Sequence, residues 1–143
     1  MMPMKWQGKH SMHPNAPCAA CGDIEGCHLP SQVRYATKPK IVCLCGSTRF
    51  YDAFQEANYR ETMAGKIVLS VGFYPHSANV HGEGVGATEA EKEKLDILHC
   101  QKIDMADEVL VLNVGGYIGE STFREVQYAH GQHKLVRFLE TAK

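Results

Sequence analysis

The chain has 143 residues, enough for one ordinary domain with its own core and too few for two of typical size. Apolar residues make up 44% and charged residues 22%, which excludes a disordered composition, and a net charge of -1 excludes the basic field that a long nucleic acid demands. No apolar run approaches the roughly 18 residues that cross a bilayer, and the start MMPMKWQGKHSMHP lacks an apolar signal core, so the expectation is a cytoplasmic protein with no membrane partner.

Positions 1–37 have no sustained period of 2 or 3.6 and are rich in Pro, Gly, His and Cys, which predicts a short irregular Cys/His-rich appendage ending near Lys38-Pro39. Within it, Cys18-x-x-Cys21 followed by Cys27-His28 has the knuckle spacing of a structural zinc site, with His28 or His13 as the fourth ligand. The same residues fit free thiols or local disulfides equally. Of the six cysteines, three fall in this segment and two alternate on an apolar strand, a distribution of reduced thiols rather than of a disulfide scaffold.

From Lys40, the run IVCLC ends at Gly46-Ser47 and reads as a strand buried on both faces. The stretch from Arg49 to about Ala64 carries Phe50, Ala53, Phe54 and Ala57 at helical spacing, with Ser47 or Thr48 able to cap it and Gly65 to end it. A second strand spans 66–72. The loop FYPHSANVHGEGVGA follows, broken up by Gly82, Gly84 and Gly86.

Thr88-x-x-Glu91 is a capping box that predicts a helix running to about Met105, with Leu95 and Leu98 toward a core. Next come a buried strand DEVLVLN, the loop VGGYIGE, a helix from Ser121 to about His130 and a strand KLVRFL. This βαβαβαβ alternation predicts an α/β, Rossmann-like (flavodoxin-like) domain over positions 38–143, a parallel sheet of about four strands in the order 2-1-3-4 with helices on both faces. Ligands bind such sheets beyond the carboxyl ends of the strands, where the order reverses, here between strands 1 and 3.

The loops at that point carry the candidate chemistry. Gly46, Ser47, Thr48 and Arg49 offer backbone N–H groups, two hydroxyls, a helix dipole and a guanidinium to an anion; the plainer reading is a helix cap beside a solvated arginine. Gly115, Gly116, Tyr117, Ser121 and Thr122 face them, with Tyr117 able to stack on a base or simply to anchor the loop. Glu125 stands three residues after Thr122, so it either closes a second capping box or presents a carboxylate beside two anion loops.

The order of strand, GSTR, helix, DEVLVLN, glycine-containing loop and STFREVQYA resembles the nucleoside 2-deoxyribosyltransferase superfamily, including its 2'-deoxynucleoside 5'-phosphate N-hydrolase branch, over roughly Lys40 to Leu139. The resemblance rests on Ser121, Thr122, Glu125, Val126 and Ala129, and it implies that Glu125 is the nucleophile attacking C1' of the sugar, with Ser47, Arg49 and Ser121 at the 5' end. It further implies a small-molecule nucleoside or nucleotide substrate, no cofactor for catalysis and a homodimer. Where several members carry an aspartate before the nucleophile, this chain has Gly119 and Glu120. Gly115-Gly116 with Thr122-x-x-Glu125 also resembles the lonely-guy type phosphoribohydrolases, which break the same kind of bond, at a longer spacing and without their proline. A nucleotide-binding module without catalysis is the reading from a different class.

The remaining polar residues divide by position. His76 and His81 on the long loop could donate a proton or stand in solvent; His99, Lys102 and Asp104 read as a packed or solvated helix end; Cys43 and Cys45 read as small apolar core groups.

Overall fold

The computed structural model describes residues 38–76 and 86–141, and all its elements lie in one compact unit, Pro39–Lys143. In chain order these are β1 (Ile41–Cys45), α1 (Tyr51–Met63), β2 (Ile67–Leu69), α2 (Glu89–Met105), β3 (Glu108–Val111), a 3-10 turn (Val114–Gly116), α3 (Glu120–Gly131) and β4 (Leu135–Phe138). The four strands form one sheet in the order β2-β1-β3-β4, and every pairing is parallel. This is the α/β Rossmann-like sheet that the alternation of elements predicts.

Side chains along β1 alternate between two cores. Val42 and Leu44 pack with Phe54 and Ala57 of α1 and with Tyr74, Leu110 and Leu112. Cys43 and Cys45 pack on the opposite face with Ile103 of α2 and Val126 and Ala129 of α3. One helix covers one face and two cover the other, so the central strands are buried on both sides and need no polar alternation. No helix among the described residues is long and apolar enough to cross a membrane.

Local chemistry sets the helix limits, with some departures from expectation. Thr88 and Glu91 close the predicted capping box at the start of α2. α1 starts two residues later than its sequence pattern suggests, with Phe50 as N-cap and no side-chain cap, because a turn from Ser47 to Phe50 intervenes. α3 starts at N-cap Gly119, so Thr122 lies inside the helix and the expected Thr122–Glu125 box does not form. Leu95 and Leu98, expected in the core, are exposed.

The stripe Phe54, Ala57 and Glu61 puts a carboxylate on the buried face of α1. Glu61 is accommodated there because Lys66 and Arg137 both bind it at 2.7 and 2.9 Å, and both also bind Glu108 at the start of β3. A four-charge network thus closes the α1 face.

Candidate functional site

Parallel strands β1 and β3 are neighbours, so the chain leaves the sheet from both at one place. Gly46 passes close over β3: a Cβ there would lie 3.0 Å from Leu112 Cβ and 3.3 Å from its carbonyl oxygen. Only glycine allows that approach without moving the strand end. The two loops then touch through side chains. Arg49 donates from Nη2 to the Tyr117 hydroxyl at 3.4 Å and lies 4.5 Å from the centre of its ring, while Phe50 meets the same ring edge-on. Arg49 forms no ion pair among the described residues, which leaves its charge available at the mouth of the loops.

Gly115 and Gly116 both adopt the left-handed conformation, at φ 63° and 78°, which explains the glycine pair. Their N–H groups are engaged internally. Gly115 donates to Glu140, Gly116 to the Asn113 carbonyl, and Tyr117 N–H to Val114. Asn113 is locked in turn by paired hydrogen bonds with the Glu140 backbone, both at 2.9 Å. This loop therefore exposes the Tyr117 side chain rather than a row of free amides. Ser121 is half-buried in the first turn of α3 and Thr122 is buried.

A polar cluster lies inside the α2/α3 core, on the face of β1 opposite Phe54. Cys43 and Cys45 are 0% exposed and His99 is 5% exposed. His99 Nε2 lies 3.3 Å from Cys45 Sγ, 3.8 Å from Cys43 Sγ and 3.8 Å from Glu125 Oε2. The Glu125 side chain is only 15% exposed, and its buried Oε2 makes no hydrogen bond among the described residues. Glu125 thus points into the core rather than back onto its own helix terminus.

The electrostatics follow from this burial. Loss of solvent raises the Glu125 carboxyl from 4.5 to about 6, against the opposing pull of His99. Burial alone would lower His99, but its contact with Cys43 and the charge of Glu125 outweigh that and raise it. A hydrogen bond from the Cys45 thiol draws Cys43 well below its ordinary value, with His99 assisting; Cys45 is pushed up by giving that bond and by burial. The donor atoms of Cys43, Cys45 and His99 all lie within 4.8 Å of one another, a grouping able to hold a metal ion.

Sequence reasoning singled out Glu125 but set His99 and the two cysteines aside. A helix of 17 residues is about 25 Å long, whereas strands of this sheet run about 10–17 Å. His99, six residues before the end of α2, therefore sits about 9 Å up the helix, level with the carboxyl end of β1. The available signal was helix length against strand length. Lys102 and Asp104 do lie at a packed helix end, Lys102 donating to the Ser70 carbonyl and Asp104 accepting from Tyr128. His76 is exposed. His81 and the predicted zinc ligands Cys18, Cys21, Cys27 and His28 lie outside the described residues.

Compared with family models and with curated proteins, the chain gives no match to either.

Proposed function

We propose that this protein cleaves or transfers the N-glycosidic bond of a nucleoside or nucleoside 5'-monophosphate, with Glu125 as nucleophile. The observation that carries this reading is the Glu125 carboxylate, mostly buried, 3.8 Å from His99 and interacting with Cys45, the residue before Gly46. Glu125 stands in the second turn of α3, beyond reach of the N-terminal N–H groups, so its burial beside His99 is not explained by helix capping. The substrate class comes from the resemblance of GSTR and STFREVQYA to the nucleoside 2-deoxyribosyltransferase superfamily.

In the proposed reaction a Glu125 oxygen attacks C1' as the C1'–N bond breaks, the bonding electrons leaving with the base. The carboxylate balances the oxocarbenium-like charge and the glycosyl ester then passes to water or to a second base. Arg49, the hydroxyls of Ser47 and Ser121 and the N-termini of α1 and α3 hold the 5' end, and Tyr117 bounds the sugar side. His99 is a positioning residue, aligning the carboxylate and favouring its ionised form. Separately, the Cys18, Cys21, Cys27 and His28 set is proposed to hold a structural zinc.

The test is a panel of ribo- and deoxyribonucleoside monophosphates, read by chromatography for free base, with wild type and Glu125→Gln. Wild type is expected to release base from at least one of them. The amide is a poor nucleophile and carries no charge, so Glu125→Gln should lose roughly a hundredfold or more in turnover while still binding nucleotide. Base release undiminished in Glu125→Gln removes the nucleophile. A wild type that binds nucleotides yet releases no base makes the domain a binding module.

A further inference from the structure

We propose that Cys43, Cys45 and His99 form a zinc-class metal site in the α2/α3 core, with Glu125 rotating in as the fourth donor. Two sulfurs and a carboxylate oxygen converge on the single atom His99 Nε2, whereas one ring nitrogen serves only one good hydrogen bond. The buried Glu125 Oε2 has no close hydrogen-bond partner among the described residues, although the Cys45 thiol interacts with its carboxyl. Cys43, Cys45 and His99 bring their donor atoms within 4.8 Å of one another, the mutual closeness of every pair that a metal shell requires.

The distances fit that reading. With Zn–S of about 2.3 Å and Zn–N of about 2.0 Å, a tetrahedral shell has S···N edges of about 3.5 Å and N···O edges of about 3.4 Å. The S···N separations are 3.3 and 3.8 Å, so shifts of a few tenths of an ångström fit Cys43, Cys45 and His99 to one ion, while Glu125 Oε2, 3.8 Å from the imidazole but outside that 4.8 Å grouping, reaches the fourth position by a larger side-chain rotation. Cys43 and Cys45 reach it together because residues two apart on a strand share a face. Thiolate and imidazole donors select zinc or similar borderline-soft ions over magnesium or calcium, and binding releases to solvent whatever protons the thiols and the imidazole still carry. A carboxylate engaged by the metal cannot attack C1', so the loaded protein is held inactive. That consequence rests on the reading of Glu125 as nucleophile; the site itself does not.

Zinc and cobalt(II) are titrated under reducing conditions into the full chain carrying Cys18→Ser, Cys21→Ser and Cys27→Ser, which removes the N-terminal thiols. One metal per chain is expected, with thiolate-to-cobalt charge-transfer bands and the visible bands of tetrahedral cobalt. X-ray absorption of the zinc form should give two sulfurs at about 2.3 Å and two lighter donors at about 2.0 Å. Cys43→Ser and His99→Gln, verified as folded by circular dichroism, should lose the metal; Glu125→Gln should bind it more weakly than wild type. No stoichiometric uptake, a zinc ion without sulfur neighbours, or uptake surviving in folded Cys43→Ser overturns the site. Base release that is unaffected by bound zinc overturns the inhibition alone, and a chain that binds metal as described but never releases base refutes the glycosidase reading instead.

Discussion

Glu125 is held in its place at a cost to the fold. Its carboxyl is raised from 4.5 to about 6, so below the unfolded value both states carry the proton and nothing is lost. As pH rises through about 6 the folded state must ionise a buried group, which removes about 2 kcal/mol of stability. Glu125→Gln is therefore expected to be more stable than wild type by about 2 kcal/mol at pH 7.5, with the gain vanishing below pH 4.5; urea midpoints at the two pH values measure it. The same titration governs the proposed chemistry, since only the carboxylate attacks. Base release should fall as pH drops through about 6, and in His99→Gln, which lacks the imidazole that favours ionisation, that acid limb should move to higher pH. An unmoved limb would leave His99 with no positioning role.

At the scale of elements, the four-charge network ties α1 to the edge strands. Glu61 and Glu108 are almost fully buried, and although burial raises their carboxyls, Lys66 and Arg137 more than reverse it and hold both low. Depressed carboxyls stabilise above their unfolded value of 4.5 and lose that contribution as pH falls through the lowered one. Glu108→Gln keeps the size but leaves two cations facing one carboxylate. Because Arg137 is itself 36% exposed, the loss should be nearer about 1–3 kcal/mol than the larger figure for a wholly buried pair. Chemical denaturation at neutral pH checks it, and the difference between variant and wild type should shrink in acid.

For the molecule as a whole, the surface of α2 bears on assembly. Leu95, Leu98 and Met105 lie on one stripe of the helix and are all exposed, Leu98 at 47% and Met105 at 65%. A homodimer covering this stripe is the expected state, with light scattering giving twice the chain mass at micromolar concentration and Leu98→Asp shifting it to the monomer. A monomeric wild type would leave the stripe without the occupant assigned to it.

The residue pattern alone determined the sheet. Continuous apolar runs such as IVCLC and VLVL can be buried only between two helical layers, and their alternation with helices leaves few ways to order four parallel strands. It also located Gly46, whose lack of a Cβ lets the first loop cross Leu112, and Glu125 beside that loop. The partners of Glu125 were decided by the tertiary structure. His99 is 26 residues away in sequence and Cys45 is 80 away, and no local period links them. They meet because α2 outruns the strand it follows and because odd-numbered residues of β1 face α2 and α3, a coincidence of lengths and faces that arises only once the sheet is closed by its helices.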